Sequence, residues 1–400
     1  MTMSLEGIRV IDASRVLAGP MCGQMLADHG AEVIKVEPPR GDETRYWGPP
    51  FFREDHSAYF TGLNRNKANV SLDLRTPGGQ AVLRRMLAGA DVLLENFKAG
   101  TLAAWGLDDT TIADEFPHLV HCRITGYGTD GPLGGAPGYD AVIQANSGLM
   151  SINGEAEGPE MRIGIPLVDI VTSLNAMAGV LMALRARDTT GRGQLLDMAL
   201  LDSALAILHP HAYTYLASGA DPVRTGVAHP TIAPYETFAA ADGPLFLAVG
   251  NDGQYRRALE VLGAEGEAAG ERFATNPDRV RNRAQLREVL GPLIARRGRE
   301  ELAEAMLAAG VPAGAVNRVS EALAHPQVRH RGMVVEEDGY RGIGIPIKLT
   351  GTPGRVRFGP RDRGADNRAV LAGLGLDEAE IAELERTGVL GATTAGTVGD

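Results

Sequence analysis

The segment Gly7–Glu37 has the sequence GIRVIDASRVLAGPMCGQMLADHGAEVIKVE. Its apolar ends predict a buried strand over Gly7–Ala13 and a second strand over Ala31–Glu37. Pro20 and Gly30 are typical of a helix start and a helix end, so a helix is predicted between them. Strand, helix and strand within about 30 residues indicate a β-α-β unit.

The same alternation continues along the first half of the chain. Further strands are predicted at Asn69–Leu74, Asp91–Glu95, Leu119–Ile124 and Leu195–Ala199, and helices at Thr76–Ala88 and Ala99–Trp105. This order predicts an α/β fold whose large domain holds a Rossmann-like, mostly parallel sheet covered on both faces. The first loop, SRVLAGP, lacks the G-x-G-x-x-G pattern, which disfavours a nicotinamide or flavin enzyme.

The composition changes near Gly219–Pro230, which indicates a crossing between two domains. We predict a large domain over residues 1–205, a linker over 206–230 and a small α+β domain over 231–323. The small domain has a hairpin at Tyr235–Val249, then helices at Gln254–Leu262, Arg283–Arg297 and Glu300–Ala309. Residues 324–400 return to the large domain, with a closing helix at Asp377–Arg386 and a loose tail after Leu390.

The composition of the chain excludes several classes of protein. The 400 residues carry a formal net charge of −11, which argues against nucleic acid as the main partner. Two cysteines cannot form a disulfide framework, and no metal-ligand spacing occurs, so we expect no metal. The N-terminal sequence has no pattern typical of a secretion signal, and we expect a cytoplasmic protein.

The segment Met161–Arg187, MRIGIPLVDIVTSLNAMAGVLMALRAR, predicts a helix that is apolar nearly all round and therefore buried. Its length and its polar residues make it marginal as a membrane span, and we expect no membrane partner. Asp169 lies at or just before its first turn, after Pro166. Two roles are open: a helix cap, or a poorly hydrated carboxylate that attacks an activated acyl group.

Polar loops follow the predicted strands, where open α/β sheets bind ligands. Arg40, Arg65, Lys67 and Arg75 concentrate positive charge in these loops. Taken singly, each is typical of ordinary surface charge, but together they indicate a site for a phosphate-bearing ligand. The nine histidines are scattered along the chain, and His229 stands beside Pro230 in the linker.

Nine stretches, in order along the chain, resemble the class III CoA-transferases, the family of formyl-CoA transferase, carnitine CoA-transferases and α-methylacyl-CoA racemase. They are IRVIDASRVLAGP, GAEVIKVEPPRGD, LNRNKANVSLDLR, ADVLLENFKAG, ITGYGTDGP, GYDAVIQANSGLMS, GIPLVDI, TGRGQLLDMALLDSAL and HPQVRHRGMVVE. The resemblance extends from Leu5 to Leu390, and Asp169 falls where the family has its catalytic aspartate. It therefore favours the nucleophile over the cap.

The resemblance implies CoA transfer from an acyl-CoA to a free carboxylic acid, through an aspartyl anhydride and an aspartyl-CoA thioester. Backbone N–H groups at the start of the Asp169 helix are expected to stabilise the oxyanions. The family's fold implies an interlocked homodimer, and neither a metal nor a redox cofactor is expected. The residues expected to line the CoA site, and so to make 1–205 a CoA-binding domain, are Val16, Arg40, Leu72, Arg75, Asn96, Phe97 and Tyr139.

Departures from the family pattern reduce the number of substrates that we expect. Leu17 replaces the glutamine of formyl-CoA transferase, and Tyr139 replaces the proton-transferring histidine of the racemase. The segment PYETFAAADGPLFLAVGNDGQ most resembles the succinyl-CoA:dicarboxylate branch. Two roles are equally open for Arg162: binding of a distal carboxylate, or an ordinary surface charge. Two alternatives stay open: a 2-methylacyl-CoA racemase on the same fold, and a CoA-binding protein without catalysis.

Overall fold

The predicted N-terminal β-α-β unit is present in the computed structural model, which describes residues 2–264, 266–337 and 339–392. The chain divides into two units. The large unit comprises residues 2–148, 163–212 and 326–392, and the small unit comprises Leu149–Arg162 and Tyr213–His325.

Strands form in both units. In chain order they are β1 (Arg9–Asp12), β2 (Glu32–Glu37), β3 (Phe51–Arg53), β4 (His56–Ser57), β5 (Lys67–Ser71), β6 (Val92–Glu95), β7 (Val120–Thr125), β8 (Leu195–Ala199), β9 (Tyr235–Ala240), β10 (Gly243–Ala248), β11 (Ala313–Ala315), β12 (Val334–Glu337) and β13 (Tyr340–Ile343).

Helices connect and cover these strands. In chain order they are α1 (Ala18–Asp28), α2 (Ala58–Thr61), α3 (Pro77–Ala88), α4 (Thr101–Ala104), α5 (Asp109–Glu115), α6 (Asp140–Asn146), α7 (Leu167–Thr190), α8 (Leu200–Ala206), α9 (His211–Ser218), α10 (Asp252–Leu262), α11 (Asn276–Arg281), α12 (Arg283–Ile294), α13 (Arg299–Ala308), α14 (Val319–Ala324), α15 (Pro326–His330), α16 (Asn367–Gly373) and α17 (Glu378–Arg386).

The central sheet of the large unit has the strand order β5-β2-β1-β6-β7-β8, with every neighbouring pair parallel. The predicted parallel sheet is therefore confirmed. Strand β5 begins at Lys67, two residues before the predicted start at Asn69. Because all six strands run the same way, the loops after their carboxyl ends meet along one edge of the sheet.

Apolar side chains from the sheet pack against helices that the sequence predicted. Ile11, Ile34 and Leu93 share a buried cluster with Leu83 and Met86 of α3. Helix α3 begins as predicted, with the Thr76 side chain accepting a hydrogen bond from the backbone N–H of Gly79. The apolar periodicity and the cap together fix this helix on the sheet.

Helix α7 follows Pro166, as predicted, and packs against α1 and strands β7 and β8. Among the described residues it is the one helix long and apolar enough to cross a membrane, but its contacts are those of a core helix. The expectation of full burial was wrong: Leu174, Leu181 and Met182 are exposed, Met182 at 70% of its surface. Because the helix is apolar on all sides, its sequence does not indicate which side packs against the rest of the chain.

The small unit contains the predicted hairpin, formed by β9 and β10 with β11 as a third antiparallel strand. Its predicted helices correspond to α10, α12 and α13. The segment Leu149–Arg162 belongs to this unit rather than to the large domain to which the sequence assigned it. Arg224 accounts for that: its guanidinium donates to the carbonyls of Glu155 and Gly158 and pairs with Glu160 at 2.9 Å.

The C-terminal return packs along β5. The Asp366 carboxylate accepts the backbone N–H of Asn69 at 2.8 Å, and the Asn367 side chain accepts that of Ser71 at 2.8 Å. The closing helix α17 has the predicted Asp377 cap. The predicted loose tail lies outside the described residues from residue 393 onward.

Candidate active site

Five of the predicted site residues line one cavity at the carboxyl edge of the sheet. They are Val16, Asn96, Phe97, Tyr139 and Asp169. The cavity has a volume of about 400 Å³, and the loops after β1, β6 and β7 and the start of α7 contribute to its wall. The convergence follows from the parallel sheet, which brings loops far apart in sequence to one edge.

The other three, Arg40, Leu72 and Arg75, line an adjacent cavity of about 440 Å³. The two cavities share Arg15, Phe97 and Lys98 in their walls. Both lie within the large unit. The structure thus brings all eight predicted site residues to two adjoining cavities, with Asp169 in the first and cationic side chains around the second.

Asp169 is almost completely buried, with 9% of its surface exposed. Burial, followed by the negative charge of Asp140, raises the pKa of the Asp169 carboxyl from 3.8 to about 7. None of the described residues donates a hydrogen bond to this carboxylate. Such a carboxylate is poorly solvated and therefore reactive toward an electrophile when ionised.

Asp140 caps the Asp169 helix. Its Oδ2 accepts the backbone N–H groups of Val168 at 2.8 Å and Asp169 at 3.2 Å. Gln144 supports it by donating to Asp140 Oδ1 at 2.6 Å while accepting the backbone N–H of Ile163 at 2.8 Å. The cap role that the sequence left open for Asp169 therefore belongs to Asp140.

The expected oxyanion donors at the start of α7 are already occupied. Asp140 takes the N–H groups of Val168 and Asp169, while those of Leu167 and Ile170 donate to the carbonyls of Ile165 and Pro166. The prediction that these groups stabilise oxyanions was wrong. An aspartate from another helix satisfies them, and the α7 sequence carries no sign of it.

Tyr59 is a second residue that sequence reasoning missed. Its half-buried phenol has a pKa raised above its usual range, first by burial and then by the charges of Asp169 and Asp140. The Tyr59 ring meets Trp47 edge-on, with centroids 5.2 Å apart. Tyr139, by contrast, is 60% exposed and stands at the start of α6. No motif in the sequence connects Tyr59 with Asp169.

Two of the four cations predicted to hold a phosphate are buried structural residues. Lys67 Nζ pairs with Asp12 at 2.8 Å and donates to Pro20 and Asn64, and Arg65 pairs with Asp28 at 2.7 Å. The phosphate role predicted for Lys67 and Arg65 is therefore wrong. Positive charge in a strand-end loop does not distinguish a ligand cation from the partner of a buried carboxylate.

A polar network lies beneath the loop after β1. Burial alone would raise the pKa of Asp12, but the charges of Lys67 and Lys35 lower it below its ordinary value. Lys35 Nζ also donates to the Ser14 carbonyl at 3.1 Å and pairs with Asp42 at 3.0 Å. These bonds anchor the loop that forms one wall of the Asp169 cavity.

The remaining candidates lie elsewhere. Arg162 and His229 belong to the small unit, and neither is among the described residues that line the two cavities. A candidate metal cluster of Asp55, His56 and Asp362 exists in the described part of the chain. Arg53 contacts His56 at 3.0 Å and Asp362 at 3.1 Å, which places a competing cation there.

Known proteins resemble the chain over nearly its whole length. The model of CoA-transferase family III matches residues 5–367. A protein of Agrobacterium fabrum named succinate–glutarate CoA-transferase is 43% identical over 394 residues, covering 96% of this chain and 97% of that protein. The human succinyl-CoA:glutarate CoA-transferase is 39% identical over 83% of this chain and 76% of its own.

A solved structure has the same fold. The crystal structure of a CAIB/BAIF family protein from Brucella suis superposes with a TM-score of 0.87 and 41% sequence identity, covering 94% of this chain and all of that one. The sequence resemblance, the parallel sheet and these matches agree. The chain belongs to CoA-transferase family III and is an enzyme of that family.

Proposed function

We propose that this enzyme moves CoA from an acyl-CoA to a free carboxylic acid with Asp169 as the covalent nucleophile. The observation that carries the proposal is the state of Asp169: buried in a cavity, without a hydrogen-bond donor among the described residues, and with a pKa raised to about 7. Near neutral pH a substantial fraction is ionised. A carboxylate with little hydration has less solvent to lose when it attacks.

The exchange proceeds in balanced acyl transfers. A carboxylate oxygen of Asp169 attacks the thioester carbonyl, the C–S bond breaks, and CoA leaves as the thiolate. The thiolate then attacks the aspartyl carbonyl of the mixed anhydride, which releases the donor acid and leaves an aspartyl-CoA thioester. The acceptor carboxylate attacks the aspartyl carbonyl of this thioester, the C–S bond breaks, and a second mixed anhydride forms with release of the CoA thiolate. The thiolate then attacks the acceptor carbonyl of that anhydride, the C–O bond to Asp169 breaks, and the new acyl-CoA leaves with Asp169 regenerated as the carboxylate.

The second cavity is proposed to hold the phosphate-bearing part of CoA. Arg40 and Arg75 line it, and Arg15 and Lys98 stand where it meets the Asp169 cavity. Arg75 is paired with Asp73 at 2.7 Å, while Arg40 is an exposed side chain at the cavity edge. Guanidinium and ammonium groups suit phosphates, and this arrangement leaves the thioester end beside Asp169.

The proposed donor is succinyl-CoA and the proposed acceptor a dicarboxylic acid such as glutarate. Support comes from the two relatives whose names include succinate or succinyl-CoA together with glutarate.

The test of chemistry and substrate is a matrix of acetyl-, succinyl- and branched acyl-CoA donors against mono- and dicarboxylates, read by mass spectrometry. Transfer confined to monocarboxylates would remove the dicarboxylate proposal. Exchange of the α-hydrogen of 2-methylacyl-CoA in deuterated water without any acceptor acid would favour a racemase instead. Trapping with hydroxylamine after addition of acyl-CoA should modify the peptide that contains Asp169; a modified carboxylate elsewhere would refute the mechanism.

We also propose that the enzyme is an interlocked homodimer, as its family resemblance implies. The exposed apolar face of α7 supports this, since Leu174, Leu181 and Met182 are large and uncovered in the single chain. Light scattering coupled to size exclusion should give twice the chain mass. A monomer at micromolar concentration that transfers CoA at full rate would contradict the dimer.

A further inference from the structure

The backbone at Val16 has an unusual conformation. Its φ is 69°, and the one other non-glycine residue with positive φ in the described chain is Asn66. Asparagine adopts this left-handed region readily, but a β-branched residue does so only under constraint. Such strain persists where surrounding contacts determine the backbone, and Val16 lines the cavity that contains Asp169.

Asn96 supplies that constraint from the neighbouring strand end. Its Oδ1 accepts the backbone N–H of Arg15 at 2.9 Å, and its Nδ2 donates to the Arg15 carbonyl at 2.8 Å. The Arg15 N–H belongs to the peptide unit shared with Ser14, and the Arg15 carbonyl belongs to the unit shared with Val16. One carboxamide therefore holds both peptide units that precede Val16.

Other groups fix the two sides of this loop. Lys35 donates to the carbonyl of Ser14, and the Asp12 carboxylate accepts the backbone N–H of Ser14 at 3.2 Å. After Val16 the chain enters α1, whose first residues form part of the same cavity wall. With the Arg15–Val16 peptide held by Asn96 and the helix fixed on the other side, φ of Val16 is determined.

We propose that Asn96 is a positioning residue of the transferase, which holds Val16 in the left-handed conformation so that Val16 and Leu17 face the acyl-CoA beside Asp169. This rests on the proposed function, and it revises the expected role of Asn96 as a contact of CoA itself. Both ends of the Asn96 carboxamide are engaged with the backbone of Arg15. Asn96 therefore affects CoA binding through the loop that contains Arg15 and Val16.

The experiment is a double-mutant cycle between Asn96→Ala and Val16→Gly, with the dissociation constant of CoA measured by calorimetry and kcat and KM measured for the donor acyl-CoA. Asn96→Ala in the wild-type background should weaken CoA binding roughly 5- to 150-fold, because Val16 then relaxes and CoA binding must supply the strain of its left-handed conformation. Glycine adopts positive φ without strain, so Asn96→Ala in the Val16→Gly background should weaken binding less than about threefold.

A direct contact between Asn96 and CoA gives a different result. The loss from Asn96→Ala would then be the same in both backgrounds, and that outcome would overturn the proposal. Asn276 provides a matched control in the small unit, because its carboxamide also accepts a backbone N–H, from Ala233, and donates to a backbone carbonyl, of Thr231. Asn276→Ala should lower the melting temperature and leave the dissociation constant of CoA unchanged; a change matching that of Asn96→Ala would count against a specific role.

The failure of the proposal and the failure of the proposed function are distinguishable. A wild-type protein that binds CoA without transferring it would refute the proposed function, while the binding cycle would still decide the role of Asn96. A cycle without coupling in an active transferase would refute the role of Asn96 alone. A wild-type protein without affinity for CoA would refute both.

Discussion

Replacement of Asp169 by asparagine should make the protein more stable, and increasingly so as the pH rises. The Asp169 pKa is about 7 in the folded protein against 3.8 when unperturbed, because burial and Asp140 disfavour its charged form. The unfolded chain therefore loses this proton at lower pH than the folded chain. Below pH 4, Asp169 lowers the free energy of unfolding only slightly. This destabilisation grows as the pH rises from 4 to 7 and is constant above pH 7.

The size of the effect follows from the two pKa values. A separation of about 3 pH units corresponds to roughly 4 kcal/mol at high pH, of which about 2–3 kcal/mol develops between pH 5 and pH 8. A carboxamide is not charged at any pH, so Asp169→Asn removes this pH-dependent part. For a unit of this size the melting temperature difference between variant and wild type should widen by roughly 5 °C between those two pH values.

The assay is thermal unfolding followed by circular dichroism at pH 5, 6, 7 and 8 at constant ionic strength, for wild type and Asp169→Asn. Asp108→Asn is the control, because Asp108 is a solvated cap whose pKa is lowered by hydrogen bonds from Thr111. Its stability difference from wild type should not change across this range. An Asp169→Asn difference that is equally constant would refute the desolvated carboxylate on which the proposed nucleophile depends.

Three further outcomes are expected. The kcat/KM of CoA transfer should rise about tenfold per pH unit below pH 7 and level off above it, since Asp169 must be ionised; a rate profile flat from pH 5 to pH 8 would contradict this. Asp140→Asn should move that acid limb to lower pH, because the Asp140 charge raises the Asp169 pKa; an unmoved limb would exclude the coupling. Lys67→Met should lower the free energy of unfolding by about 3–5 kcal/mol, measured in urea, because it leaves Asp12 buried without its partner, and a loss below about 1 kcal/mol would exclude that pairing.

The sequence predicted the sheet well because its signals are local. Strands such as β1 and β6 contain short apolar runs next to a turn or a helix, and β8 occupies the predicted residues Leu195–Ala199. The boundaries of the two units were harder to predict from the sequence. The place of residues 149–162 in the small unit depends on Arg224, more than 60 positions away.

The candidate site was predicted as a set of residues but not as a set of interactions. Resemblance to the family pointed to Asp169 and the seven residues that line two adjoining cavities with it. It could not show that Asp140 occupies the N–H groups at the start of α7, or that Lys67 is buried against Asp12. Such pairings arise from which segments the fold brings together, and no spacing along the chain records that.

The bracing of β5 by the C-terminal return has a consequence for synthesis. Leu72, at the edge of the proposed CoA cavity, is bridged to Leu390, and the backbone N–H of Asp73 donates to the Val389 carbonyl at 2.8 Å. These contacts join residues more than 300 positions apart, so they are non-local contacts that form only after the whole intervening chain exists. A chain emerging from the ribosome holds Asp169 and both cavity walls long before it holds Leu390. The rim of the CoA cavity is therefore completed only once translation has passed the last helix.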